Sequence, residues 1–370
     1  MECPSQSRRR LAAAARARLS ASQLVQFAAV SPGLDPRACP AATLAELGLT
    51  TRCVQLLASP DEAALDADLR WLERSGAVLL PVTSPSYPAL LRESPDAPGV
   101  LYVLGQVGAL SEPQIAMVGS RNPTPGGRDN ARRFAAWFAR AGLGVTSGLA
   151  LGIDAACHEG ALAGGGTTIA VLGCGLDETY PRENGALAER IREQGALVSE
   201  FPPGTPALAA HFPQRNRIIA GLASGTLVVE AAQKSGSLIT ARLAGNAGRE
   251  VFAMPSSIHN PVARGCHELI RQGAKLVEQP EDVLSELKIS LSTQILADGS
   301  PMLPGGAGLD KEYKILLDAL AFEPASIDTL IERTGLNSES IASMLLILEL
   351  GGHVAPHPGG RYCRVAEQCP

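Results

Sequence analysis

An excess of positive charge is what this chain most clearly lacks. Its 32 Lys and Arg face 37 Asp and Glu, a formal net charge of -5. It cannot coat a polyanion with a continuous basic face, so any phosphate it binds must be met by a few cations gathered in one pocket. A long apolar run is missing as well. No stretch reaches the ~20 uninterrupted apolar residues of a transmembrane helix, and Arg16 and Arg18 interrupt the alanine-rich segment after Arg8, Arg9 and Arg10 before a signal-peptide core can form. A cytoplasmic protein without membrane association is the expectation. Eight cysteines contain no CxxC pair, and Cys157-His158 and Cys266-His267 are adjacent rather than spaced for one metal. Neither a disulfide framework nor a zinc site is indicated, and no metal or other cofactor is expected.

What is present is globular. At 370 residues and 45% hydrophobic composition, two or three folded units are expected. Residues 1–75 read as short helices broken by Ser31-Pro32-Gly33, Cys39-Pro40 and Ser59-Pro60, a small helical domain of the SAM or helix-hairpin type. A proline-rich stretch with Pro81, Pro85, Pro88, Pro95 and Pro98 leads into Val100-Leu101-Tyr102-Val103-Leu104, a linker with one strand. From 114 onward, apolar runs of strand length alternate with helical segments: 114–118, 143–147, 167–172, 196–199, 226–230, 250–254 and 274–277. This rhythm predicts α/β architecture, an extended Rossmann-like parallel sheet over residues 76–288 covered on both faces. Residues 289–308, with Pro301, Pro304, Gly305 and Gly306, read as a flexible linker. Residues 309–366 carry three helical stripes and a strand pair around Gly359-Gly360, which predicts a C-terminal winged helix.

In such a sheet, ligands bind beyond the carboxyl ends of the strands. The loop Gly119-Ser120-Arg121 combines small residues that let a backbone approach a phosphate with a forked cation. Ser147-Gly148, followed by Asp154 near a helix start, and Gly173-Cys174-Gly175 offer exposed backbone N–H groups. Lys234-Ser235-Gly236-Ser237 opens a helix after a strand, a phosphate cradle of free N–H groups, hydroxyls and a lysine. Phe212-Pro213-Gln214-Arg215-Asn216-Arg217 supplies an aromatic for a base face, guanidiniums for phosphates and an amide for hydrogen bonding, the set that single-stranded nucleic acid requires. Any one of these glycine-rich loops reads equally as a tight strand-to-helix turn; their convergence on one sheet edge carries the argument. His158, one turn from Asp154, reads as a helix-packing or capping histidine.

Taken in order, Met117-Val118-Gly119-Ser120-Arg121, the run 147–154, Val171-Leu172-Gly173-Cys174-Gly175-Leu176-Asp177, Phe212 to Arg217 and Ser235 to Ala241 resemble the DNA-processing protein A (DprA/Smf) family over residues 75–285. The resemblance implies a non-enzymatic homodimer that binds single-stranded DNA in this pocket and loads the RecA recombinase in natural transformation. It also implies self-association through 267–277, with His267, Ile270 and Leu276 at the contact. The chain departs from the family pattern at Ala209, where a basic residue is common, and at Ser256, where glycine is usual.

Three other readings compete with this one. A nucleotide enzyme is disfavoured because Gly173-Cys174-Gly175-Leu176-Asp177-Glu178 places a glutamate where a dinucleotide fingerprint needs glycine. A phosphoribohydrolase-like reading finds no catalytic glutamate after Ser235-Gly236-Ser237. A winged-helix duplex-DNA regulator is disfavoured because Asn337 to Glu349 contains no Lys or Arg, and residues 305–370 carry five basic against nine acidic groups.

Overall fold

The computed structural model describes residues 4–31, 33–35, 39, 41–287, 311–320 and 324–365; the proposed linker 289–308 lies outside them. The chain opens with helices α1 (Pro4–Arg16), α2 (Ala21–Val30), α3 (Ala41–Glu46), α4 (Thr51–Ala58) and α5 (Glu62–Ser75). A capping box between Ser20 and Gln23 starts α2, and Gly76 at φ 73° ends α5 in the left-handed region that favours glycine. The small side chains of Ala12 and Ala14 are fully buried and let α1 lie close against α5 and the sheet. Leu24, Phe27, Leu65 and Leu72 join the same apolar cluster as Leu101, Val103 and Val171, so these helices pack onto the central unit rather than enclosing a core of their own.

The central unit contains β1 (Val78–Pro81), α6 (Ala89–Arg92), β2 (Val100–Gly105), β3 (Gln114–Val118), α7 (Pro125–Arg140), β4 (Gly144–Ser147), α8 (Ile153–Ala163), β5 (Thr168–Val171), α9 (Gly185–Gln194) and β6 (Ala196–Ser199). It continues with α10 (His211–Leu222), β7 (Gly225–Val228), α11 (Ser237–Asn246), β8 (Glu250–Ala253), α12 (Arg264–Arg271), β9 (Lys275–Leu276) and α13 (Pro280–Leu287). The sheet order is β1-β2-β6-β5-β4-β3-β7-β8-β9. From β6 to β9 neighbouring strands are parallel, and β2 pairs antiparallel with both β1 and β6.

The apolar runs read from the sequence all fall on strands, and β3 to β7 are buried throughout, which demands continuous hydrophobicity. Along β3, Ile115 and Met117 enter the cluster with Phe138 and Leu227, while Ala116 and Val118 enter the opposite one. Sequence reading expected one strand before residue 114. The structure adds β1, four residues ending in Pro81, a proline tolerated because β1 is an edge strand. The chain winds outward from β3 to β6 and then returns to β7 on the other side of β3, so the winding reverses at β3. The carboxyl ends of β3, β4 and β7 border the resulting crevice.

The C-terminal unit has α14 (Lys311–Leu320), β10 (Ala325–Ser326), α15 (Ile327–Thr334), α16 (Ser338–Leu350), β11 (Val354–His357) and β12 (Arg361–Arg364), with sheet order β10-β12-β11. Leu316, Leu320, Leu330, Ile341, Leu345 and Leu348 form its own core. Among the described residues no helix is long and apolar enough to cross a membrane.

Candidate functional site

A cleft of about 450 Å³ opens at the reversal point, lined among others by Gly119, Arg121, Asp154, Tyr180, Phe212, Arg215, Asn216, Ser235, Gly236 and Ser237. It is built from the loops after β3, β4 and β7 and the first turns of α8, α10 and α11. The residue at the N-cap of each of these three helices makes no side-chain cap, the loops themselves take up the first N–H groups of α11 and part of those of α8, and the positive dipole ends face the cleft.

Helical spacing selects what α10 presents. Phe212, Arg215, Asn216 and Ile219, at i, i+3, i+4 and i+7, line the cleft. The Phe212 ring lies 5.4 Å from the Arg121 guanidinium carbon and 5.9 Å from that of Arg215, and 5.5 Å from the Tyr180 ring. Phe212 needs Gly173 behind it, since a Cβ there would stand 3.1 Å from the ring edge.

Arg121 is exposed, whereas Arg215 is 4% exposed and spans the site floor. It donates to the Gly148 carbonyl at 2.6 Å, to the Val171 carbonyl, and through Nε to Asn216 Oδ1 at 3.0 Å. A Cβ at Gly148 would collide with this guanidinium. Burial lowers the Arg215 pKa to about 10, opposed by the nearby Asp154 carboxylate. Asp154 accepts from the Gly148 and Ala150 N–H groups at 3.2 and 3.3 Å. Its pKa is raised by burial, against the pull of Arg215. Asn216 reaches across to the Gly236 carbonyl at 3.3 Å, and the hydroxyls of Ser235 and Ser237 stand 2.6 Å apart, which locks the β7–α11 loop to α10.

Not every residue expected at the site faces it. Arg217 is turned away: its Nη1 and Nη2 donate to Glu200 at 2.6 and 2.8 Å, and its Nε to the Asp96 carbonyl at 2.8 Å. Glu200 also pairs with Arg18 at 2.9 Å. Burial alone would raise the Glu200 carboxyl, but the two arginines hold it below its ordinary range. The expectation that Arg217 meets phosphate is therefore corrected, because two residues after Arg215 a helix presents a different face. Ser147 donates to the Met117 carbonyl at 2.6 Å and Gly175 N–H to the Thr205 carbonyl at 2.9 Å, so both shape loops rather than line the cleft. Ser120 accepts from the Asn122 N–H at 3.1 Å, and Lys234 is exposed outside the lining. His158 is fully buried against the Thr168 hydroxyl at 2.7 Å, as its packing role anticipates, and burial drops its pKa to about 3.

Tyr180 was not singled out from sequence. Its signal was an aromatic shortly after the Gly173-Cys174-Gly175 turn. At the far end of the sheet, Leu276 is 41% exposed on edge strand β9, Ile270 is half-buried against the core, and His267 Nε2 lies 2.9 Å from the Ser256 carbonyl. Among the described residues no cluster of His, Cys, Asp or Glu is arranged to hold a metal ion.

A parallel sheet wound outward in both directions from β3, with an aromatic–arginine cleft ringed by helix amino ends at its reversal point, defines a Rossmann-type protein built to receive an anionic ligand. Residues 78–288 match the family model of DNA recombination-mediator protein A, and residues 300–360 match the DprA winged helix domain. The chain belongs to the DprA/Smf family. It is 44% identical to Protein Smf of Escherichia coli (strain K12) over 331 residues, 89% of this chain and 88% of that protein. It is 46% identical to DNA processing protein DprA of Streptococcus pneumoniae over 202 residues, 55% of this chain and 71% of that protein. The X-ray structure of DprA from Streptococcus pneumoniae superposes with a TM-score of 0.68 at 34% identity, covering 78% of this chain and all of that one. DNA processing protein A from Helicobacter pylori, studied for its single-stranded DNA binding mode, gives 0.52 at 28% identity, covering 57% of this chain and 95% of that one.

Proposed function

We propose that this protein binds single-stranded DNA in the Phe212 cleft, protects the incoming strand and loads the RecA recombinase onto it in the cytoplasm during natural transformation, without catalysing a reaction. The observation that carries the reading is one ring, Phe212, with two guanidiniums over it at the amino ends of α10 and α11. Bases stack on aromatics and phosphates meet cations and N–H dipoles, a combination tolerant of sequence. Gly119, Arg121, Phe212, Asn216 and the Ser235–Ser237 turn contact the strand, and Lys234 approaches from the rim. Asp154 holds the site's shape in this reading, since its Oδ2 accepts from two N–H groups of the loop before it. In this reading residues 1–75, 76–288 and 309–366 act as three units, and His267, Ile270 and Leu276 lie at a two-fold contact that places two clefts in one particle.

The test is a mobility-shift comparison of single-stranded and duplex DNA of equal length. Preference for the single strand is expected. Equal or duplex-favoured binding would move the function to the winged helix, whose α16 offers no cation to phosphate.

A further inference from the structure

The half-buried Phe212 ring is already flanked by charge. Arg121 and Arg215 stand over it, and Gly173 backs its edge. Tyr180 lines the same cleft, is 44% exposed, and holds its ring 5.5 Å from Phe212 at a tilt of 40°. Its loop is anchored on both sides. Before it, the Asp177 carboxylate accepts from the Gly204 N–H at 2.9 Å and Cys174 Sγ donates to the Glu178 carbonyl at 3.4 Å. After it, Asn184 Nδ2 donates to the Leu149 carbonyl at 2.8 Å, and Arg182 pairs with Glu178 at 3.2 Å. A large aromatic exposed to water on a pinned loop, beside a second ring, is a surface ordered before any ligand arrives, so little conformational freedom is lost on contact.

We infer that Tyr180 is a second base platform, so that the cleft takes two bases of a strand, one on each ring. This rests on the single-strand reading above and deepens it. Phe212, clamped by two arginines, couples its base to the phosphate contacts; Tyr180, outside that clamp, adds stacking without a charge. Its contribution is therefore independent of backbone phosphates and depends only on a base being present.

That distinction gives the experiment. Fluorescence anisotropy is measured on the full-length protein with an oligo(dT) and with a strand of the same length whose sugars carry no base, for wild type, Tyr180→Ala and Tyr180→Phe, each checked by thermal melting. Tyr180→Ala should weaken oligo(dT) binding about tenfold, Tyr180→Phe should restore it to near wild type, and the abasic strand should bind wild type and Tyr180→Ala alike. An equal loss on both strands would show that Tyr180 only shapes the cleft, and unchanged oligo(dT) binding by Tyr180→Ala would remove the platform; either result overturns this inference while leaving the Phe212 cleft in place. Failure of wild type to bind oligo(dT) at all would overturn both readings.

Discussion

Two arginines share the Phe212 ring, yet their loss should be felt in opposite ways. Arg215→Ala removes donors to the Gly148 and Val171 carbonyls and to Asn216, all inside the protein. A hydrogen bond from a charged donor contributes about 1.5–3 kcal/mol. Asp154 also loses the nearby positive charge that favours its ionised form. With these contacts gone together, a loss of about 4 kcal/mol is expected against a total stability of about 5–15 kcal/mol. Arg121→Ala gives up only an exposed ring contact, about 0.5–1 kcal/mol, but deletes the one exposed guanidinium over the ring. Its affinity for oligo(dT) should fall about tenfold through a lost charge-assisted phosphate contact. Urea unfolding followed by far-UV circular dichroism, paired with anisotropy titration, separates the two. A wild-type midpoint for Arg215→Ala, or wild-type affinity for Arg121→Ala, would refute the division of labour.

Arg217→Ala should lower stability by about 2–3 kcal/mol, because Glu200 keeps only Arg18 as a partner, while folded molecules bind DNA within twofold of wild type; tenfold weaker binding at an unchanged melting temperature would return Arg217 to the interface. His158 is held neutral to about pH 3 by burial, whereas an unfolded histidine titrates near ~6.5. Its folded pKa is depressed, so stability is full above that range and declines as pH falls from 6.5 toward 3. His158→Gln should flatten this part of the stability–pH curve, and an identical slope in both proteins would count against the assignment. The double variant Ile270→Glu, Leu276→Glu should be folded and monomeric by light scattering where wild type is a dimer, and a monomeric wild type at micromolar concentration would rule out this contact.

Much of the fold was legible because strands buried on both faces have no choice but to be apolar: β3, β4 and β5 stand out as runs with no competing helical period. β1 was hidden by the prolines that begin at its last residue, Pro81. The loops after β3 and β7, picked out for small residues next to a cation or hydroxyl, line one cleft because the sheet brings their strand ends together. What misled was reading Phe212 to Arg217 as a row of ligands. It is the first turn and a half of α10, and on a helix Arg215 and Arg217 point some 160° apart. The depth of Arg215 was not legible, since nothing local in the sequence announces that Gly148 is empty to make room for a guanidinium.

The Arg18–Glu200–Arg217 arrangement bears on how this protein can be taken apart and recombined. Glu200 is 4% exposed and is shared between an arginine just after α1 and another on α10, while the Arg18 guanidinium also rests 4.6 Å from the centre of the Phe201 ring. The N-terminal helices are thus fastened to the helix that carries Phe212 by an anion both sides need. A chimera that exchanges residues 1–75 for another helical segment leaves Glu200 held by Arg217 alone, and loses the tie between the two segments, unless it also brings an arginine to the place of Arg18. The two segments are best regarded as a matched pair for transplantation.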